Sequence, residues 1–182
     1  PLAPTAAPRG TPDPARPAAR PPPPPTGPLA AAPPPAPHYL NLDAKGRLAI
    51  PASQRALLAE YCDSRIVVTA DPQRCLILYP EPHFVEVERK LSGMPTFAEA
   101  TRVLQRVIVG YATSVQPDAQ GRVLLAPSQR DFAGLDKQVA LVGVGNRYEL
   151  WDEAAWREKL REAEAFDLKS LAADPAMADF SL

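Results

Sequence analysis

The chain has 182 residues and a formal net charge of −1, so its charge excludes a domain that is basic over its whole surface. Its apolar runs are much shorter than a membrane span. The two cysteines, Cys62 and Cys75, lack the Cys-x-x-Cys spacing of a structural zinc site and fit a reducing compartment. We therefore expect a cytoplasmic protein that binds no metal and no cofactor and does not enter a membrane.

The first 37 residues are rich in proline. They hold 16 of the 24 prolines, including the run Pro21–Pro25, and almost no large apolar side chains. Such a segment cannot bury enough surface to offset the entropy lost on ordering. Residues 1–37 are therefore predicted to be a disordered extension of polyproline II character. A linker or the product of a misplaced start is the favoured interpretation, and a proline-rich ligand for a partner domain is the alternative.

A first folded unit is predicted over residues 38–82. Residues 39–50 are predicted to form two short strands around a turn in which Gly46 has a positive φ. Pro51 then opens a short helix, since proline is tolerated at a helix start. A β-hairpin is predicted over residues 65–79, because two apolar, β-branched stretches flank a turn signal there.

Two connecting helices are predicted over residues 83–110. The first has Phe84, Val87 and Leu91 on one face. The second is predicted to begin at Thr96, which with Glu99 has the spacing of a capping box. The apolar face of this second helix comprises Phe97, Ala100, Leu104, Val107 and Ile108.

The same order of elements recurs over residues 111–154. Two extended segments flank a turn, Pro127 opens a short helix, and Gly145–Asn146 has the chemistry of a tight hairpin turn. Asp152 is predicted to cap a last helix. Residues 155–182 are assigned to this C-terminal helix and a tail.

The recurrence is visible as an internal repeat. Residues 43–55 and 118–130 are identical at seven of thirteen positions, namely Asp, Ala, Gly and Arg in the turn and Ser-Gln-Arg after it. The chain therefore contains a duplicated unit. One unit has too few strands to close a sheet alone. Two pseudo-symmetric halves are predicted to interleave into one small closed barrel, which would remove exposed strand edges.

Four segments occur in a fixed order along the chain. They are Asn-Leu-Asp-Ala-Lys-Gly-Arg-Leu-Ala-Ile-Pro at 41–51, Cys-Leu-Ile-Leu-Tyr-Pro at 75–80, Asp-Ala-Gln-Gly-Arg-Val-Leu-Leu-Ala-Pro at 118–127 and Tyr-Glu-Leu-Trp-Asp at 148–152. Together they resemble the MraZ family of bacterial transcriptional regulators.

This resemblance, which covers residues 38–166, implies both a fold and a function. The implied fold is α+β and mainly β, a pseudo-two-fold, swapped-hairpin AbrB-like barrel made of two tandem repeats with flanking helices. The repeats correspond to residues 38–82 and 111–154. The implied protein is a ring-shaped homo-oligomer that binds double-stranded DNA in the nucleoid. It would repress the division and cell-wall gene cluster through short direct repeats upstream of its own gene.

In that family the Asp-x-x-x-Arg turn is associated with DNA binding. The resemblance assigns this role to Asp43, Lys45, Gly46, Arg47, Asp118, Gly121 and Arg122. Glycine lets the backbone approach a phosphate, lysine supplies a point charge, and the planar fork of arginine suits the O6/N7 edge of guanine. Gln120 stands where the first turn has Lys45, so the second turn is predicted to be less cationic.

Other functions remain open from the residues alone. Asp43 and Asp118, one from each repeat, could form a catalytic pair that shares a proton, although an Asx-turn role explains both. Arg47 could be a solvated turn residue or pair with Asp43. A scaffold that binds no DNA is a further alternative, served by the acidic C-terminal helix and the apolar helix over residues 97–108. His38 and His83 lack metal-ligand spacing, and no motif indicates an enzyme or a small-molecule substrate.

Overall fold

The computed structural model describes residues 36–165. The predicted disorder of residues 1–35 and the predicted tail after residue 165 lie outside the described residues. The strands of the described part are β1 (His38–Asn41), β2 (Arg47–Ala49), β3 (Ile66–Asp71), β4 (Cys75–Pro80), β5 (Thr113–Val115), β6 (Arg122–Leu124), β7 (Gln138–Val144) and β8 (Arg147–Asp152). The helices are α1 (Ala52–Cys62), α2 (Glu81–Ser92), α3 (Glu99–Leu104), α4 (Pro127–Ala133) and α5 (Glu153–Glu164), and a π-helical turn at Gln105–Val109 continues α3.

Six strands form one antiparallel sheet in the order β1-β7-β8-β4-β3-β5, and β2 pairs with β6 in a separate ribbon. The first strand of each repeat pairs with the third strand of the other repeat, β1 with β7 and β5 with β3. When each strand is exchanged with its equivalent in the other repeat, the same strand order results, read from the opposite edge of the sheet. A pseudo-two-fold axis therefore passes between β4 and β8 and through the β2–β6 ribbon. The predicted α+β, mainly β fold of two interleaved repeats is confirmed.

The predicted closed barrel is not formed as a continuous ladder in the described residues, because the β2–β6 ribbon is a sheet separate from the six-stranded one. Within residues 36–165 an isolated bridge between Leu42 and Leu48 joins the end of β1 to β2. Leu48 and Val123, which are opposite each other in the ribbon, point into the main core and are fully buried. Their burial fixes the ribbon's register, because a slip of one residue would turn both side chains outwards.

The long strands β3, β4 and β7 are buried on both faces over most of their length, which explains their nearly continuous apolar sequences. One face meets the ribbon, α1 and α4 in the main core. On the other face, α2 and the π-helical turn cover one half of the sheet and α5 covers the other. Phe84 of α2 packs with Val67, Ile77 and Tyr79 of the sheet, and the partly buried Trp156 of α5 packs against Ala140 and Trp151.

The start of α3 differs from the prediction. The helix begins at Glu99 after Ala98, and within the described residues no side chain caps it. Glu99 is thus the first helical residue rather than the third, so the capping box predicted for Thr96 and Glu99 is wrong. The carbonyls of Thr96 and Phe97 accept hydrogen bonds from Arg102 Nη1 instead, at 3.3 and 2.9 Å. The side chain of Phe97 is 83% exposed, so its predicted place on a buried face is also wrong.

Other local predictions are confirmed. Gly46 has φ of +76° in its turn, and Gly145 has φ of +60° in the two-residue hairpin turn. Asp152 caps α5 by accepting hydrogen bonds from the N–H groups of Ala154 (2.9 Å) and Ala155 (3.4 Å). Among residues 36–165 no helix has the length and apolar character needed to cross a bilayer.

Candidate nucleic-acid interface

The two Asp-x-x-Gly-Arg turns lie side by side because the strands that follow them pair with each other. In the β2–β6 ribbon, Arg47 is opposite Leu124 and Ala49 is opposite Arg122. Arg122 Nη1 lies 4.0 Å from Asp43 Oδ2, so a long ion pair links the charges of the two turns. We call residues 43–47 and 118–122 together the paired-turn surface. All seven residues assigned to DNA binding belong to it, and that role stays a prediction.

Asp43 organises the first turn. Its Oδ1 accepts hydrogen bonds from the backbone N–H groups of Lys45 (2.9 Å) and Arg47 (3.0 Å). Its Oδ2 accepts a third from Arg47 Nε at 2.6 Å, and the N–H of Gly46 donates to its carbonyl at 2.9 Å. The backbone N–H of Arg47, with the Arg47 side chain as a further cause, lowers the pKa of Asp43 to about 2. The turn is therefore held by an ionised carboxylate at any ordinary pH.

Asp118 organises the second turn in the same way but holds its arginine more fully. Its Oδ1 accepts from the N–H groups of Gln120 and Arg122, and its Oδ2 accepts from Arg122 Nε (2.9 Å) and Nη2 (2.8 Å). Gln120 Oε1 accepts a further bond from Arg122 Nη2 at 2.8 Å. The Arg122 side chain lowers the pKa of Asp118, and the hydrogen bond to Asp118 raises the pKa of Arg122.

The two arginines consequently differ in their free donors. Arg47 uses only Nε in its side-chain bond to Asp43, and its terminal nitrogens make no hydrogen bond to any residue that the structure describes. Arg122 has most of its fork engaged by Asp118 and Gln120. Lys45 is exposed beside Arg47. The first turn is therefore the better placed of the two to bind an anion or a base edge.

Two further arginines, not identified as site residues from the sequence, complete the surface. Arg130 of α4 lies over Gly46, and Arg55 of α1 lies over Gly121. A Cβ at Gly46 would be 2.6 Å from Arg130 Nε, and a Cβ at Gly121 would be closer than 3.0 Å to Arg55. The sequence did contain a signal for these two arginines, because each is the last residue of a Ser-Gln-Arg segment that is identical in both copies of the repeat.

The local charge of this surface is positive although the chain is nearly neutral. The paired-turn surface has the carboxylates of Asp43 and Asp118 and the cations of Lys45, Arg47 and Arg122, and Arg55 and Arg130 add two cations directly beside it. Leu124, opposite Arg47, is 58% exposed and gives the ribbon an apolar side chain between charged ones. A surface of this kind offers phosphate contacts, base-edge donors and one apolar contact.

The arrangement does not match a catalytic acid pair. Such a pair shares a proton, which requires the pKa of one carboxyl to be raised. Here each aspartate is bound by the arginine of its own turn and the pKa of each is lowered. Within the described part of the chain, no group of three or more His, Cys, Asp or Glu side chains could hold a metal ion.

Two swapped-hairpin repeats with their cationic turns on one surface define a tandem AbrB-like protein. The family described as "MraZ protein, putative antitoxin-like" matches this chain twice, over residues 37–107 and over residues 108–177. The chain therefore belongs to the MraZ family.

Curated relatives carry the same family name. A protein of Nitrosomonas eutropha is 51% identical over 126 residues, which are 69% of this chain and 85% of the relative. One of Saccharophagus degradans is 47% identical over 131 residues, 71% of this chain and 89% of the relative. One of Nitrosomonas europaea is 46% identical over 143 residues, 79% and 95% respectively. Each of the three is named transcriptional regulator MraZ, so the chain is a member of a family of transcriptional regulators.

Proposed function

We propose that this chain is a sequence-specific repressor that binds double-stranded DNA as a ring-shaped homo-oligomer in the nucleoid. Its operator is a set of short direct repeats upstream of its own gene, and its target is the division and cell-wall gene cluster. The observation that carries the DNA-binding part is the pairing of β2 with β6, which puts both arginine-bearing turns on one surface. The names of the relatives support the regulatory part.

The first turn supplies the base contact in this proposal. Arg47 is held at Nε by Asp43 and keeps its terminal nitrogens for a ligand. Two parallel donors suit the O6 and N7 acceptors of guanine in the major groove. Because the carboxylate already orients the arginine, little side-chain entropy is lost when DNA binds. Lys45 supplies a phosphate contact, which positions the turn without discriminating sequence.

Avidity accounts for binding by a protein with a net charge of −1. One paired-turn surface contacts few phosphates, so its affinity alone is low. Several such surfaces on one ring, engaging successive direct repeats, convert later contacts into intramolecular ones. The electrostatic potential of the protein has to be positive only where the turns meet the DNA.

A scaffold that binds no DNA is the second candidate. It is favoured by three exposed apolar side chains at the α2–α3 connection and on α3, those of Met94, Phe97 and Val103. Exposed apolar side chains that lie together commonly mark protein–protein contacts. In the proposed repressor these side chains serve contacts between subunits, so their exposure does not decide between the two functions.

The test is fluorescence anisotropy of the full chain on the DNA upstream of its own gene, with a scrambled duplex beside it at two salt concentrations. Arg47→Ala is the test variant. Arg157→Ala is the matched control, because Arg157 also pairs with a carboxylate four positions away, Glu153, but lies on α5. We expect tight binding that the scramble abolishes, Arg47→Ala weakens markedly and Arg157→Ala retains. Equal binding to both duplexes would contradict sequence specificity, and no binding by a folded oligomer would favour the scaffold.

A further inference from the structure

Each turn of the paired-turn surface is held by the opposite repeat at two points. The carbonyl of Gly46 accepts a hydrogen bond from the N–H of Leu125 (3.1 Å), and the carbonyl of Gly121 accepts one from the N–H of Ile50 (2.9 Å). The face of each glycine is covered by an arginine, Gly46 by Arg130 and Gly121 by Arg55. The space that a Cβ on either glycine would need is thus occupied by an arginine side chain from the opposite repeat.

The position of each covering arginine is fixed by the glutamine before it. Gln129 is buried, and its Nε2 donates to the carbonyls of Val68 (3.0 Å) and Tyr111 (2.8 Å). Gln54 is buried in the equivalent place, and its Oε1 accepts a hydrogen bond from the hydroxyl of Tyr148 at 2.7 Å. Because adjacent helical residues point in different directions, a glutamine anchored inside sends the next arginine outwards over the turn.

We propose that Arg130 and Arg55 are positioning residues of the DNA interface, each holding the turn of the opposite repeat. Arg130 fixes Gly46 and hence the presentation of Arg47, and Arg55 fixes Gly121 and hence Arg122. This inference rests on the proposed function. A rigid turn binds DNA more tightly than a mobile one, because less conformational entropy is lost on binding.

The planar shape of the guanidinium is what this role requires. Arg130 Nε is buried and has no hydrogen-bond partner among residues 36–165, so Arg130 holds Gly46 by packing. Arg55 adds one long hydrogen bond, from Nη1 to the carbonyl of Gln120 at 3.4 Å. A planar guanidinium can lie flat over a glycine backbone, whereas the ammonium of lysine is a compact point charge. Lysine at position 130 would keep the charge without the cover.

The experiment is a set of double-mutant cycles on DNA binding, measured by anisotropy with the full chain. Arg130→Met and Arg55→Met keep most of the apolar stem, and each is combined with Arg47→Ala and with Arg122→Ala. We expect Arg130→Met to weaken binding about 3- to 30-fold in the wild-type background and to have little further effect once Arg47 is removed. Its effect should persist when Arg122 is removed. Arg55→Met should show the opposite pattern, coupled to Arg122 and independent of Arg47.

Salt dependence separates positioning from direct contact. A residue that neutralises a phosphate lowers the slope of log affinity against log salt by about 0.9 when it is removed. A positioning residue leaves that slope nearly unchanged. Arg130→Lys should bind as weakly as Arg130→Met. Two outcomes would overturn the proposal in favour of a phosphate contact. One is affinity losses that add in the double variants together with a reduced salt slope, and the other is full recovery of affinity in Arg130→Lys. Unchanged affinity in the methionine variants would also overturn the proposal.

A readout without DNA keeps the inference separate from the proposed function. In hydrogen exchange, Arg130→Met should speed exchange in a peptide that contains Gly46 and Arg47 and leave one that contains Gly121 and Arg122 unchanged. Arg55→Met should do the reverse. This crossed pattern without DNA binding by the wild-type chain would refute the proposed function alone. Uniform faster exchange in both peptides would show a general loss of stability and overturn the positioning role.

Discussion

Arg122 Nη1 lies 4.0 Å from Asp43 Oδ2, although the two residues belong to different repeats. Asp43 is already bound by Arg47 within its own turn, so one carboxylate faces an arginine from each half. The two turns are therefore electrostatically coupled. Removal of Asp43 would leave Arg47 without its ion-pair partner and would remove the negative charge that the guanidinium groups of Arg47 and Arg122 both face.

The two arginines of the turns should not contribute equally to DNA binding. We expect Arg47→Ala to cost about 1–3 kcal/mol of binding free energy, as for a bidentate base contact. Arg122→Ala should cost less, because Asp118 and Gln120 already engage its fork. Anisotropy titrations of both variants measure the difference, with Arg157→Ala as the control. An equal or larger loss for Arg122→Ala would show that the second turn provides the main contact.

Gly46→Ala should destabilise the fold by more than a positive φ alone explains. Gly145 provides the comparison, because it also has a positive φ and a Cβ there would meet nothing within 4 Å in the described structure. Gly145→Ala should cost about 1–2 kcal/mol for the left-handed backbone. Gly46→Ala should cost more, since its Cβ would be 2.6 Å from Arg130 Nε.

Chemical denaturation measures both glycine variants. The double variant Gly46→Ala/Arg130→Ala should recover part of the excess loss, because the collision is removed while the backbone strain remains. Equal losses for Gly46→Ala and Gly145→Ala would show that Arg130 moves aside at no cost.

Tyr148→Phe should destabilise the interleaved core. The hydroxyl of Tyr148 donates to Gln54 Oε1 at 2.7 Å, and the Gln54 residue is 3% exposed. Loss of the hydroxyl leaves a buried acceptor without a donor, which costs about 1–3 kcal/mol. Denaturant titration measures the loss, with Tyr39→Phe on an exposed tyrosine as the control. Tyr148→Phe/Gln54→Met should be more stable than Tyr148→Phe, and the opposite order would contradict the role given to this bond.

The stabilising effect of Asp43 should be lost only in strong acid. Its pKa is lowered in the folded chain to about 2 from an ordinary 3.8, so folding favours the ionised form. The contribution is complete above the ordinary pKa and disappears as the pH falls towards 2. The difference in free energy of unfolding between the wild type and Asp43→Asn should therefore be constant from about pH 7 to 5 and shrink between about pH 4 and 2.

Denaturant titrations at each pH measure this difference, with Glu60→Gln on the exposed surface of α1 as the control. Asn retains an oxygen for the backbone donors of the turn but not the charge that binds Arg47. A difference that disappears near neutral pH would contradict the lowered pKa.

Local signals in the sequence predicted the parts of this fold that depend on local chemistry. The positive φ of Gly46, the cap at Asp152 and the hairpin turn at Gly145–Asn146 follow from residues within a few positions of one another. The repeat further predicted that two halves must interleave, since one half has too few strands. Which strand pairs with which could not be predicted, because strand order depends on contacts between distant segments.

The same limit explains the errors and the omissions. Thr96 and Glu99 have the spacing of a capping box, but Arg102 binds the Thr96 and Phe97 carbonyls and the helix starts later. Arg55 was not identified because its contact, the Gln120 carbonyl, is 65 positions away. The sequence showed only that Arg55 and Arg130 are equivalent positions of the repeat. Their role became clear from their contacts with Gly121 and Gly46 in the structure.

Fusion of the two halves into one chain frees the turns from having to be the same. In a pair of identical chains with this strand order, every substitution would appear in both turns. Here Lys45 is exposed in one turn, whereas Gln120 binds the arginine of the other. The surface therefore has a direction, with a cationic end and a neutralised end. In the proposed repressor such a subunit would distinguish the two ends of a short DNA element, and neighbouring subunits of the proposed ring would meet successive elements head to tail rather than as inverted halves.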